Sequence, residues 1–306
     1  MTPLSKQASR PRIAIAGATG RVGTALVSAL GSDPVDLVAL TRQPNNNRLP
    51  SGIAQGVVDF DQPRSLSDAL RGADRLFLAH GTSMRQVQNE IALIDAAVAA
   101  GVSHIVKLSA LGPPTRLHPF DWHMQIEAHL AQVDIGYTVL RPSTFMDILA
   151  RAGAPVAAGH WGGAAGAGRV NLVDSRDVAE AARIALIDDR SPDTQRAYHL
   201  TGPGPVSMPD VADILSRLLG CSVAYEHRTP AEHRAVLIGS GLSEAIADLL
   251  LGLDLMVARS VLAETTATFS DLTGRAPRSV EDWLRDRLAA FQGKSDQTRT
   301  KAEKGD

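Results

Sequence analysis

Cysteine is almost missing from this chain of 306 residues: Cys221 stands alone, so neither an internal disulfide nor a thiolate zinc site can form. That usage suits a reducing compartment. With no apolar h-region in the opening MTPLSKQASRP, it leads to a cytoplasmic assignment. No apolar run is long enough to span a bilayer; Ile246 to Ala258 comes nearest and is interrupted by Asp248 and Asp254. Charge of one sign is not in excess either, and a net charge of −2 gives no electrostatic case for nucleic acid or an anionic membrane as partner. Aromatic residues make up only 4%. Lysine is scarce and unevenly placed: Lys6, Lys294, Lys301 and Lys304 lie in the terminal segments, which leaves Lys107 alone among many arginines. No G-x-S-x-G elbow anchors a hydrolase triad, no Gly-Lys-Ser/Thr completes a phosphoryl-transfer loop, and no H-E-x-x-H points to a metal.

What is present alternates. From Arg12 onward, short β-branched or apolar runs take turns with amphipathic segments of helical length, the signature of a parallel sheet with helices on both faces. The expected strands are Arg12 to Gly17, Val35 to Thr41, Gly56 to Phe60, Asp74 to His80, Ser103 to Ser109, Gly136 to Arg141 and Ala197 to Thr201. Helices are expected near Gly20 to Leu30, Ser65 to Arg71, Ser83 to Ala100, Phe120 to Gln132 and Ser175 to Ile187. The fold class is therefore α/β: a Rossmann-type, doubly wound parallel sheet with a smaller, mainly helical C-terminal domain for substrate. The sheet domain is expected over 11–155, completed by about 170–201, with 202–292 as the smaller domain. Gly153 to Gly168 reads as loop, Val170 to Val173 as a short strand outside the main sheet, and Ser222 to His227 as one more strand. The polar segments 1–10 and 293–306 read as disordered tails.

Directly after the first strand comes Gly17-Ala18-Thr19-Gly20-Arg21-Val22-Gly23, leading into a helix. Glycines in such a turn let backbone approach a pyrophosphate, which then sits on the open N–H groups and positive end of the helix. The alternative is a tight turn with no ligand. NAD-preferring folds carry a carboxylate at the end of the second strand, and here that strand ends Leu40-Thr41-Arg42. An arginine attracts a 2′-phosphate, so NADP(H) is favoured; otherwise Arg42 is a solvated loop cation. Asp59 is placed either to accept from an adenine amino group or to cap the segment that follows. His80 and Gly81 end the fourth strand, where backbone passes a cofactor at the sheet's carboxyl edge.

With GATGRVG, Thr41-Arg42, KLSALG at 107–112, His123 and Glu127 on one helix, and YTVLRPSTFMD at 137–147, the chain resembles the NmrA-like family of atypical short-chain dehydrogenases/reductases. The resemblance runs from about Arg12 to Phe291. It implies a dinucleotide-binding fold, and a function among quinone reductases, benzylic ether and isoflavone reductases, ergot-pathway reductases and catalytically silent redox sensors. It also implies that Pro142, Ser143 and Phe145 line the nicotinamide side, and that His123 falls where the ether and isoflavone reductases place a catalytic lysine. One departure stands out. Ordinary short-chain dehydrogenases use Tyr-x-x-x-Lys, yet Tyr137, Tyr198 and Tyr225 are followed four residues later by Arg141, Gly202 and Thr229.

The proton for a substrate must then come from elsewhere. His123 is the expected donor, titrating near neutrality and shifted by Glu127 if the two pair on the helix face, or else it is structural. Lys107 at a strand's carboxyl end is expected to hold the nicotinamide ribose or amide, or to be an incidental buried lysine. Trp122, Phe145, Met146 and Trp161 suit a flat aromatic or quinonoid substrate, or ordinary packing. The leading expectation is an NADPH-dependent reductase of a small carbonyl, enone or quinone, possible as an oligomer. The rivals are a nucleotide-sensing regulator that binds NADP(H) without turnover, and a non-redox isomerase or cyclase.

Overall fold

The computed structural model describes residues 10–43, 49–188 and 194–292, so the expected tails, apart from Arg10, lie outside the described residues. The chain begins with β1 (Arg12–Ala16), α1 (Arg21–Leu30), β2 (Asp36–Thr41), β3 (Ala54–Val57), α2 (Pro63–Leu70), β4 (Arg75–Leu78), α3 (Gln86–Ala99), β5 (His104–Leu108), α4 (Phe120–Leu130) and β6 (Gly136–Pro142). It leaves the sheet through β7 (Thr144–Phe145), a 3-10 segment, α5 (Gly153–Ala157), β8 (Gly162–Gly163) and β9 (Arg169–Val173). It returns through α6 (Ser175–Ile187) and β10 (Gln195–Leu200).

Seven strands form one sheet in the order β10-β6-β5-β4-β1-β2-β3. Register advances together on neighbouring strands, with Ile13 opposite Leu37 and Ile105 opposite Tyr137, so these pairs are parallel. This is the doubly wound arrangement expected from the sequence. The strand order reverses between β1 and β4, and such a reversal opens a crevice outside the carboxyl ends of the two strands. β4 is buried at all four positions, as a strand covered on both faces must be. Ala14, Leu76, Leu78 and Ile105 of the strands pack with Leu93, Ile94 and Ala97 of α3 and with Ile126 and Leu130 of α4.

Contacts divide the chain into two units, the first from the described residues of Met1–Ser109, Trp122–Arg141 and Val178–Tyr198, the second from those of Ala110–Asp121, Pro142–Asp177 and His199–Asp306. The second unit thus begins at His199, near the expected 202, and in addition takes in Ala110–Asp121 and Pro142–Asp177, which follow β5 and β6. The second unit holds a three-stranded sheet in the order β11 (Pro205–Ser207), β9, β7, so the strand near Val170 does lie outside the main sheet. Its helices include α7 (Met208–Leu219), α8 (Pro230–Gly239) and α9 (Glu244–Ala258). The first two start with reciprocal capping boxes at Ser207 with Asp210 and Thr229 with Glu232. Its core gathers Met146, Trp161, Leu172, Leu215, Trp283 and Phe291.

Gly153 to Gly168 is not all loop. Its first residues form α5, and β8 pairs with β12 (Glu226–His227), the only strand within the expected Ser222 to His227 run. Glycine serves close packing here: a Cβ on Gly153 would come 2.5 Å from the Ala290 carbonyl oxygen. Among the described residues no helix is long and apolar enough to cross a membrane.

Ile126 has no exposed surface, and Ile126→Ala should cost about 2–5 kcal/mol through lost burial and an unfilled cavity. Met84 is 84% exposed, and Met84→Ala should change stability by less than about 0.5 kcal/mol. Urea denaturation of the two variants against the parent checks both values.

Candidate functional site

The turn between β1 and α1 is closed by Gly20 N–H donating to the Gly17 carbonyl at 2.9 Å. Gly17 has φ +77°, a left-handed backbone, and a Cβ there would lie 2.8 Å from the carbonyl oxygen of Ala79, just after β4. A Cβ on Gly23 would run into the Gly17 carbonyl oxygen, whereas one on Gly20 meets only that oxygen, at 3.2 Å. Gly17 and Gly23 thus let strand, turn and helix approach, and Gly20 leaves the space outside the turn open. Gly20 is also the N-cap of α1, with no capping side chain and no acidic residue in the first turn. The N–H groups of Arg21, Val22 and Gly23 therefore form an uncapped, electropositive helix end beside Thr19.

At the end of β2, Thr41 is buried and its hydroxyl donates to the Gln43 carbonyl at 2.9 Å. Arg42 is exposed and makes no side-chain hydrogen bond among the described residues. Asp59 follows β3, its oxygens accepting from Asp61 N–H at 3.0 Å and Gln62 Nε2 at 2.9 Å. His80 follows β4, linked to the Gly81 carbonyl at 2.6 Å and to Asn89 at 2.9 Å, with its ring edge-on to Phe60.

Lys107 and His123 are brought together. Alternation along β5 turns Ile105, Lys107 and Ser109 toward α3 and α4, and Lys107 has no exposed surface. Its Nζ lies 2.8 Å from Glu90 Oε2, 3.2 Å from His123 Nδ1, and donates to its neighbour Leu108's carbonyl. Among the described residues the ammonium is thus engaged by an ion pair with Glu90 and by hydrogen bonds with Leu108 and His123. Burial first, and the Lys107 ammonium second, pull the His123 pKa from 6.5 down to about 2. The expectation of a histidine that titrates near neutrality is therefore corrected; His123 is a neutral imidazole. Glu127 does not pair with it. That carboxylate accepts from Ser109 Oγ and from Arg141 Nε at 3.2 Å, and this bond holds the arginine above its ordinary range.

Glu90 escaped the sequence reading, although a signal was there. Positions 86, 90, 93, 94 and 97 form one buried helical stripe, and Gln86 and Glu90 interrupt it with polar groups where leucine would be ordinary.

Trp122 is buried on α4. In the second unit, Met146 and Trp161 are core residues, Trp161 lying edge-on to Tyr225 at 5.1 Å between ring centres, so packing is their role here. Pro142 is buried and its carbonyl accepts from Leu111 N–H at 2.7 Å; Phe145 is half-buried in β7. Ser143 is buried and, with Thr144, Leu111, Gly112, Pro113, Val261, Leu262 and Glu264, lines a cavity of about 170 Å³. Its lining comes from the segments that follow β5 and β6 and from the stretch 261–264 that follows α9, where Glu264 pairs with His199 at 2.7 Å.

Comparison with known proteins gives concordant matches. The profile of the NmrA-like family matches residues 9–284. An NAD(P)H azoreductase of Xenophilus azovorans is 30% identical over 284 residues, covering 91% of this chain and 99% of that protein. Quinone oxidoreductase 2 of Escherichia coli strain K12 is 30% identical over 269 residues, covering 86% and 93%. The crystal structure of an Escherichia coli NADPH-dependent quinone oxidoreductase complexed with NADPH superposes with a TM-score of 0.82 at 27% identity, covering 90% and 99%.

The His123 shift fixes a pH response. Its folded pKa lies below its unfolded value, so the unfolded chain takes up the proton first. The associated stability is complete above about pH 6.5 and is lost progressively as pH falls below that. In thermal melts from about pH 7 to about pH 4, His123→Gln should lose less stability on acidification than the parent; an equal slope contradicts the assignment.

Proposed function

Because the chain belongs to the NmrA-like family, we propose that it is an NADPH-dependent oxidoreductase that delivers hydride to a small quinone, enone or carbonyl compound. The observation that carries the reading is the uncapped first turn of α1 below the glycine turn. It is a ready seat for a diphosphate, and Arg42 stands exposed at the end of the next strand where a carboxylate would mark NAD.

In this reading Gly17, Thr19, Gly20, Arg21, Val22 and Gly23 hold the diphosphate through backbone, and Arg42 pairs with the 2′-phosphate. Asp59 keeps a free lone pair for the adenine amino group, and His80 and Gly81 line the crevice at the carboxyl end of β4. Pro142, Ser143 and Phe145 are assigned to the nicotinamide, and the cavity that Ser143 lines in the second unit is assigned to a flat ring of the substrate. A volume of about 170 Å³ suits one ring and excludes bulky substrates unless neighbouring segments move. Bound NADPH supplies the hydride. A quinone reduced in this way gains one hydride and one proton, the proton coming from solvent. The neutral His123 donates a hydrogen bond to the oxygen on which charge develops, a preorganised donor where water would have to reorient. No Tyr-x-x-x-Lys pair takes part, since Tyr137 is followed by Arg141 in that spacing and Arg141 is bound to Glu127.

Two substitutions test the cofactor seat. Arg42→Ala should weaken NADPH by about 10-fold to 100-fold and leave NADH nearly unchanged, the worth of a charge-assisted pair to phosphate. Equal NADPH and NADH dissociation constants in the parent would sink the assignment. Gly20→Val should keep the fold and lose dinucleotide binding, because the branched side chain fills the open side of the turn. Retained affinity would put the phosphates elsewhere. NADPH that binds but is oxidised by no quinone, enone or imine would favour the sensor.

A further inference from the structure

Resting on the reductase reading, we propose that Glu90 is a positioning residue: through Lys107 it fixes His123 in the neutral Nε2–H tautomer, which makes His123 a hydrogen-bond donor to substrate and not a proton-releasing acid.

The argument starts from donors and acceptors. An ammonium has only donors, so an Nδ1 within 3.2 Å of Lys107 Nζ must present its lone pair, and the ring proton sits on Nε2. Nε2 has no hydrogen-bond partner among the described residues and is left for a ligand. This holds only while Lys107 stays charged. A neutral amine can accept from an Nδ1–H, and the tautomer would no longer be fixed. Lys107 and Glu90 are both without exposed surface, and at 2.8 Å each is the other's counter-charge. Glu90 is itself held by Gln86 Nε2, which donates to its second oxygen at 3.0 Å.

Around His123, Lys107 stands on β5, Glu90 on α3, Glu127 one turn along α4 and Arg141 on β6, while Asp95 of α3 pairs with His129 of α4 and Asp121 of α4 with His118. Glu127 and Arg141 neutralise each other, with Ser109 completing the carboxylate's bonds. A buried ion pair is a poor source of stability, because desolvation offsets most of its attraction. Its value here lies in specifying one protonation state. The chain's single lysine outside its terminal segments, fully buried beside a fully buried glutamate, fits that use better than packing.

The test is nitrogen NMR of the histidine-labelled full chain, with His123→Gln to identify the resonances. The parent should show Nε2 protonated and Nδ1 bare, unchanged from about pH 8 to about pH 5. The double variant Glu90→Gln with Lys107→Met removes both charges without stranding either one. It should populate both tautomers, while burial, the larger cause of the low pKa, keeps the ring neutral across that window. NADPH oxidation with a simple benzoquinone should show no histidine limb in either protein, with kcat lowered about 10-fold or more in the double variant and NADPH affinity within about threefold. Glu90→Asp, which keeps the charge, should retain the parent tautomer. A parent with Nδ1–H, a parent imidazolium at about pH 6, or a double variant with an unchanged tautomer overturns the proposal. The parent spectrum alone decides if the variants do not fold. A parent that carries the Nε2–H signature but oxidises NADPH with no acceptor refutes the reductase reading and leaves the tautomer assignment standing.

Discussion

Two opposite charges held out of water set the character of the first unit. Lys107 and Glu90 lie 2.8 Å apart with no exposed surface on either, and each belongs to an element that the fold would have placed there anyway. Alternation along β5 turns Lys107 toward the helices, and the core stripe of α3 carries Glu90 inward among Leu93, Ile94 and Ala97. Nothing in such a core solvates a lone charge, so each residue requires the other. His123 then inherits its state from the pair. It is neutral because it is largely buried beside an ammonium, and its remaining proton is directed by the bond at Nδ1.

A second constraint is geometric. At the point where strand order reverses, β1 and β4 end side by side, and the Gly17 backbone lies against Ala79 with no room for a side chain. The same closeness gives α1 its start, with Gly23 packed under the Gly17 carbonyl and the first N–H groups uncapped. Arg42 completes this edge from the end of β2. In the proposed reading the dinucleotide seat follows from parallel topology, its phosphates recognised by backbone and one exposed arginine, and the imidazole donor follows from the buried pair, its proton placed by three side chains on β5, α3 and α4.

Much of this was legible in the sequence. Apolar runs alternating with amphipathic segments give the seven-stranded sheet nearly strand for strand, because buried parallel strands leave an unbroken apolar record. GATGRVG announces its turn, since Gly17 and Gly23 each answer a close approach and Gly20 keeps the outside of the turn open. Boundaries were less legible: β3 begins two residues before the expected Gly56, because an edge strand half open to solvent carries no apolar run. The division into units was hidden as well, since the segments after β5 and β6 pack with residues distant in sequence. The charge state of His123 could not be read at all. Helical spacing makes Glu127 its natural partner, but a strand residue, Arg141, competes for that carboxylate and wins. Lys107 stood out by its isolation; its partner Glu90 showed only as a polar break in an apolar stripe.

The most direct measurement of the whole account is a crystal structure of the chain with NADP⁺ bound. It should show the diphosphate on the N–H groups of Arg21, Val22 and Gly23, the 2′-phosphate on Arg42, and Lys107 still bonded to Glu90 and His123 Nδ1. A dinucleotide bound away from the glycine turn, or Lys107 withdrawn from Glu90 to contact the cofactor itself, would contradict it.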